Sequence, residues 1–564
     1  MKAARWTGLL AIVALTAGCN LPGASLPPPP VAAPAATTGG VLSVGITRPA
    51  GIDPFNAYEP NGRLVSSLLC DTLVSVDPVT GDLRPDLAAK WLVSPNGTTI
   101  TLELRHGVRM ADGRTLNASD VAWTLSSLAS PRTASREAGL MSEVAGYDKL
   151  ASQLITTGRT QLLGVSIIDT HDLQISLSHK DPGFLYALAE PAAAPLSEAS
   201  AVADPSAVTA DPPCAGPYVL AAPYRADADT LRLVRNPAYR GDDLAMTHDG
   251  TGYASFVDVH IYSTVDAADR AFVAGQVDLA PEASAGAPDV PSPQVVSGPD
   301  GSEEYIGLPI GLSGPLDVPA VRDALSMALD RTAIVDQVWG DTRGPATSML
   351  PPSFLSSAAS TCAEAPISGM PAAARRLLGN TSVGPITFSV DPDFDNVAEA
   401  DAVAQQWRQV LGLDVSVDVV PWTTYLQTAQ AGSGFPGPFR VSWSAQASVP
   451  SPSYDDGAEY LSALFPAGGV ANWERYDDSR FEYDFDTNVL PAAAGSQTRR
   501  QEVTAAAKGL CAQLPLIPLA YGISRWLIRT DLVGTARTAT WLSATGYPLL
   551  REVYLSSGSG AVAS

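Results

Sequence analysis

The stretch Thr98 to Leu128, TTITLELRHGVRMADGRTLNASDVAWTLSSL, constrains the fold most, because a strand period gives way to a helix period within it. Ile100, Leu102 and Leu104 alternate with Thr99, Thr101, Glu103 and Arg105, which predicts a half-buried strand ending near Arg105. His106-Gly107 makes a short turn and Asp112-Gly113 a second, since glycine tolerates positive φ and aspartate bonds back to its own backbone. Asn117 stands three residues before Asp120, close to a capping box: Asn117 accepts from the first free helical N–H groups and Asp120 adds favourable charge there. Val121, Leu125 and Leu128 follow at helical spacing, so the unit reads strand, two turns and a capped amphipathic helix.

A chain of 564 residues exceeds what one hydrophobic core organises, so two or three domains are expected, and 46% hydrophobic residues dismiss global disorder. Lys2 and Arg5 precede the apolar segment Trp6 to Ala17, too short to cross a hydrocarbon core of roughly 30 Å and readable as part of a signal peptide over residues 1–18. Leu15-Thr16-Ala17-Gly18-Cys19 resembles a bacterial lipobox, with Thr16 where a larger aliphatic residue is commoner. Acylation of Cys19 would hold the chain on the outer face of the cell membrane at about 0.8 kcal/mol per buried CH₂. Within 19–40, the proline- and alanine-rich run after Cys19 reads as a tether, stiff at Pro27 to Pro30. Removing Lys2 and Arg5 with the signal leaves 33 basic against 58 acidic residues, a net charge of −25. That charge repels nucleic acid, and a nucleic-acid function is excluded from the expectations.

The run LELRHGVRMADGRTLNASDVAWTL resembles the signature segment of the family 5 solute-binding proteins of ABC importers, which include oligopeptide-, dipeptide- and nickel-binding proteins. Similar segments recur at Cys214-Ala215-Gly216-Pro217-Tyr218 with LRLVRNPAY (Leu231 to Tyr239), at DVPAVRDALSMALDRTAIVDQVWG (Asp317 to Gly340) and at LPLIPLAYGISRWLI (Leu514 to Ile528). The resemblance implies an α/β, two-lobe periplasmic-binding-protein-like fold (class II, cluster C) with an extra domain inserted in the first lobe. Lobe one is expected from 41–74, 165–302 and 518–564, the inserted small domain from 75–164 and lobe two from 303–517. Four cysteines remain in the exported body, and their spacing matches no zinc module. Pairing Cys70 with Cys214 and Cys362 with Cys511 would keep each disulfide within one lobe of this architecture; free buried thiols are the alternative.

The resemblance also directs attention to the ligand. Arg48 and Tyr58 lie after the first strand, where the family lines its cleft, and a plain surface role is the alternative for each. Trp422 and Trp443 are the expected ligand-facing aromatics, since an indole stacks on apolar or sugar-like surfaces and donates through its N–H; a core role is the alternative. Peptide-binding members carry an aspartate three residues after the second tryptophan, where it holds the ligand's α-amino group. Gln446 occupies that place here and offers no full countercharge. Asp455 or Asp456 supplies the carboxylate if the local register differs, or else forms an acidic surface turn. Ala429 stands where an oligopeptide-binding relative carries an arginine. These departures leave room for N-blocked or modified peptides, polar neutral solutes and glycan-like molecules.

His106, His171, His179, His248 and His260 form no HExxH pair or compact ligand cluster, and there is no GxSxG elbow, P-loop or GxGxxG fingerprint. The expectation is a monomeric receptor, not an enzyme, without metal or cofactor. It would deliver a small, peptide-like or related solute to an ABC permease and ATPase. A structural or regulatory envelope lipoprotein that kept the fold is the alternative.

Overall fold

Ile100, Leu102 and Leu104 are buried on one face of a strand at Thr99–Leu104, and the alternation is the one written in the sequence. The helix that follows, Ala118–Leu128, opens with a complete capping box: the Asn117 side chain accepts from the Ser119 and Asp120 amides, and the Asp120 carboxylate accepts from the Asn117 amide at 3.0 Å. Local polar chemistry therefore sets where the helix starts, and burial of Val121, Leu125 and Leu128 sets which face turns inward.

The computed structural model describes residues 39–76, 83–151, 161–181, 183–239, 252–281, 295–310, 314–354, 361–392, 395–430, 434–443, 457–467, 469, 472–492, 496–534 and 547–555. The expected signal peptide, Cys19, Gln446, Asp455 and Asp456 lie outside the described residues, as does the side chain of Trp443.

Thr99–Leu104 belongs to a four-stranded antiparallel sheet with Ala88–Val93, Asp172–Ser176 and Val165–Ile167. Because Thr99 to Glu103 hydrogen-bond along Ser176 to Asp172, this sheet runs on past residue 164, where the inserted segment was expected to end.

A larger sheet runs through the rest of the described body, in the order Val415–Val419, Ile386–Val390, Phe439–Trp443, Val295–Gly307, Leu516–Ile528, Leu279–Pro281, Val41–Thr47, Phe256–Tyr262, Thr230–Arg235 and Tyr218–Leu220. The short strand Arg343–Pro345 also pairs with Leu516–Ile528. The buried apolar side chains fall into two main bodies. One includes Val44, Leu64, Leu102, Leu125, Leu233 and Val259; the other includes Phe388, Trp407, Phe439, Tyr460 and Leu516. These are the cores of two lobes, and two long antiparallel strands run from one to the other.

Those strands are Val295–Gly307 and Leu516–Ile528, each of 13 residues. Val295 faces Leu527 at the lobe-one end and Gly307 faces Leu516 at the lobe-two end, with register shifts between Pro299 and Glu303 and between Glu304 and Tyr305. At the first shift Gly301 takes φ +78°, and Ser302 donates to Asp300 Oδ1 through both its amide (2.9 Å) and its hydroxyl (2.6 Å). Opposite, a Cβ on Gly522 would sit 2.0 Å from Ser302 Oγ and 2.1 Å from Asp300 Oδ1, so the two strands approach closely only because residue 522 has no side chain.

Disulfides join Cys70 to Cys214 and Cys362 to Cys511, with Cα separations of 5.2 and 5.1 Å. The first pair is buried in the lobe-one core and the second in the lobe-two core. Among the described residues no helix is long and apolar enough to cross a membrane.

Candidate ligand site at the carboxyl edges

In open α/β sheets, ligands bind outside the carboxyl ends of parallel strands. Lobe one supplies such an edge where Val41–Thr47 runs parallel to Phe256–Tyr262 and to Leu279. Lobe two supplies another where Ile386–Val390 runs parallel to Val415–Val419 and to Phe439–Trp443. Pro281 at the first edge pairs with Trp526; Trp443 at the second pairs with Glu303, which in turn pairs with Tyr521. Both carboxyl edges therefore point to the same crossing, on either side of Gly522.

On the lobe-one side, Asn61 Nδ2 donates to Thr47 Oγ1 at 2.8 Å at the end of the first strand. Glu59 caps the helix Pro60–Leu69 by accepting from Asn61 and Gly62 amides at 2.8 and 2.6 Å, and burial pushes its carboxyl upward. Arg48, 44% exposed at its side chain, donates to the carbonyls of Ala226 and Ala228 and stands 3.4 Å from Asp229. It is thus held against a loop of its own lobe. Tyr58 is half-buried, with the Arg136 guanidinium 4.5 Å above its ring centroid, and its carbonyl accepts from Arg63 Nε at 3.1 Å. Beneath it Arg63 is buried between Glu190 at 2.7 Å and Glu137 at 3.1 Å.

On the lobe-two side, Trp422 is 46% exposed at the start of the helix Trp422–Gln430 and lies nearly parallel to Tyr425, ring centroids 6.2 Å apart. Tyr425 is buried, and its hydroxyl donates to the Arg440 carbonyl. Arg440 donates to Glu399 at 2.7 Å and to Glu304, and lies 4.0 Å from Asp391. Burial opposes the Arg440 charge, but these carboxylates hold its guanidinium above the ordinary range. Burial raises Glu399 to about 7, with Arg440 pulling the other way. Glu304 also faces Arg343 at 3.7 Å. The result is a continuous polar strip from Asp391 through Arg440 and Glu304 to Arg343, beside an exposed indole.

On another side of the same strand Glu303 is almost fully enclosed, pushed well up by burial, beside Tyr305 and Arg331. Tyr305 and Tyr460 share a hydroxyl contact of 2.9 Å. No group of three or more metal-ligating side chains occurs among the described residues. His106 and His171 pack ring on ring at 4.0 Å, and His179 meets Glu143 at 2.6 Å.

Of the residues expected from the sequence, the structure places Trp422 and the backbone of Trp443 at the lobe-two edge, and Arg48 and Tyr58 just beyond the first strand. Ala429, where a relative's arginine was considered, is buried. Arg440, Glu304, Glu399, Arg343 and Tyr425 were not singled out beforehand. The available signals were an arginine inside the apolar strand Phe439–Trp443 and the paired glutamates Glu303-Glu304, but nothing local joins residues 136 positions apart.

The comparisons agree with this geometry. Residues 82–458 match the description "Bacterial extracellular solute-binding proteins, family 5 Middle". The chain is 26% identical over 501 residues to the probable deoxycholate-binding periplasmic protein YgiS of Escherichia coli strain K12, covering 84% of this chain and 86% of that protein. It is also 26% identical over 510 residues to the periplasmic murein peptide-binding protein MppA of the same strain, covering 86% and 88%. The unliganded open form of MppA superposes with a TM-score of 0.74 at 23% identity, over 93% of this chain and 99% of that one. The members of this family are binding proteins of transporters rather than enzymes, and they work outside the cytoplasm. The chain belongs to the bacterial extracellular solute-binding proteins of family 5.

Proposed function

We propose that the protein is a lipid-anchored receptor that captures a peptide-like or related solute between its lobes and hands it to an ABC permease and ATPase. The observation that carries this reading is the crossing: two separate cores, two parallel-strand carboxyl edges facing one point, and a bulged strand pair that runs from one core to the other. Lobes joined in this way hinge, and closure removes water from the strip beside Trp422 and strengthens each polar contact a solute makes there. Trp422, Trp443 and Gln446 form the ligand-facing set in lobe two, with Tyr58 and Arg48 on the lobe-one wall. Lobe one takes 41–74, the part of 165–302 that follows the small sheet, and 518–564; lobe two takes 303–517; and the inserted domain starts at 75 and keeps the strands Val165–Ile167 and Asp172–Ser176. Cys19 carries the lipid and residues 20–40 the tether; the receptor acts as a monomer.

The names of the relatives favour a solute class rather than one solute, since one is described as binding deoxycholate and another murein peptide. Gln446 in place of an amine-holding aspartate fits a ligand without a free α-amino group. The test is native mass spectrometry of the purified protein followed by titration with whatever co-purifies. A bound small solute, with affinity lowered by Trp422→Ala, is expected. A protein that carries nothing and binds no offered peptide or bile acid contradicts the proposal.

A further inference from the structure

Arg343 is placed at the crossing by strand pairing. It sits opposite Gly522, with Gly344 opposite Tyr521 and Pro345 opposite Ala520. A Cβ on Gly344 would lie 2.3 Å from the Tyr521 ring, so this short strand is seated tightly on the return strand. Because Gly522 marks the point where the two carboxyl edges converge, Arg343 carries its charge to the floor between them.

The donors of three guanidiniums are used very differently. Arg63 gives Nε to the Tyr58 carbonyl and its two Nη groups to Glu190 and Glu137. Arg440 gives Nε to Glu399 and Nη2 to Glu304, with Nη1 turned to Asp391. Arg343 donates through Nη1 to the neighbouring Thr342 carbonyl at 3.1 Å, and its Nη2 stands 3.7 Å from Glu304, beyond hydrogen-bond reach. Its Nε is closed off from solvent and meets no acceptor among the described residues. A buried N–H without an acceptor is costly, yet the side chain as a whole is 26% exposed and so remains accessible.

Glu304 is the nearest countercharge of Arg343, but Arg440 takes it at closer range. The other charges around this strip, Glu399 and Asp391, are engaged by Arg440, and Arg525 faces Asp341 at 3.7 Å. The fork of a guanidinium matches a carboxylate in geometry as well as in charge. We propose that Arg343 receives a carboxylate of the bound solute, making the protein selective for acids over their amides. This rests on the receptor reading above and deepens it. Peptides and bile acids differ in almost everything except such a group.

The test is affinity selection, read by mass spectrometry at pH 7.5, with two N-acetylated random tripeptide libraries, one ending in free carboxylates and one in amides. The wild-type protein is expected to retain acids at least about tenfold over their amides, or roughly 1.4 kcal/mol. Arg343→Gln should abolish that preference by lowering retention of acids while leaving amides unchanged, Arg343→Lys should restore part of it, and the surface control Arg225→Gln should leave it intact. Equal retention of acids and amides by the wild type, or a preserved preference in Arg343→Gln, overturns the assignment while the receptor reading stands. Retention of neither library contradicts the peptide-like reading and takes the assignment with it. If Arg343→Gln does not fold, the wild-type preference and the lysine variant still decide.

Discussion

Arg63 and Arg440 each sit among carboxylates, and the difference between their surroundings separates scaffold from the proposed site. Arg63 in lobe one is 3% exposed and joins the helix Pro60–Leu69 to Glu137 and Glu190, both equally enclosed. Arg440 in lobe two is 12% exposed and joins Glu304, Glu399 and Asp391 at the carboxyl edge of parallel strands. The chemistry is the same: one delocalised cation, several acids, and burial that only the ion pairs make tolerable. What differs is the exit. The Arg63 centre is closed on all sides, whereas the Arg440 centre leads through Glu304 to the under-used donors of Arg343 and lies beside a half-exposed tryptophan. Position relative to the strand ends, rather than charge content, marks the proposed ligand side.

The largest effect should come from breaking the closed centre. Arg63→Met leaves Glu137 and Glu190 buried without a countercharge, so equilibrium unfolding in urea should show a loss of about 3–5 kcal/mol. The solute affinity of the remaining folded protein should stay unchanged. A variant that keeps its stability and loses affinity would invert the comparison.

A smaller, pH-dependent effect distinguishes the two centres more finely. Burial raises both Glu137 and Glu399 to about 7 in the folded protein, against the ordinary 4.5. The folded state therefore binds more protons than the unfolded chain between those values. The contribution is fully present below pH 4.5 and is lost as pH rises through about 7, so stability should fall by about 1–3 kcal/mol from pH 5.5 to pH 8. Glu137→Gln should flatten part of that slope without touching the pH dependence of binding. Glu399→Gln should flatten it too and also shift the pH dependence of solute affinity, because its partner Arg440 lies on the ligand side. Identical behaviour of the two variants in binding would erase the distinction drawn here.

The smallest stability change is expected at the edge itself. Trp422→Ala removes a half-exposed ring and should cost less than about 1 kcal/mol in thermal or urea unfolding. The same substitution should weaken solute binding about tenfold, equivalent to roughly 1.4 kcal/mol, by calorimetric titration. An unaltered affinity would return Trp422 to an ordinary surface position.

What was legible in the sequence follows the range of the interactions. Thr99–Leu104 and Ala118–Leu128 could be placed from a few neighbouring residues because pleating, helical period and the Asn117–Asp120 cap are local. Trp422 was singled out by the family resemblance and by what an indole can do, stacking and donating, and not by a local pattern. The polar strip was not, since Arg440 meets Glu304 only after two strands distant in the chain have paired. Likewise the crossing bulge depends on Gly522 meeting Asp300 and Ser302, and a lone glycine in a strand does not name its partner. The continuation of the small sheet through Asp172–Ser176 was missed because hydropathy gives a strand's period but not its neighbour.

The central claim, that a solute closes the two lobes over the crossing, is tested most directly by a distance between them. Cysteines introduced at the exposed positions Thr230 in lobe one and Gln405 in lobe two can carry spin labels, since Cys70, Cys214, Cys362 and Cys511 are paired. Double electron–electron resonance should show a distribution that moves to shorter distance as co-purified solute is added back to solute-free protein, saturating with the binding curve. A distribution that stays in place at saturating solute would contradict the account.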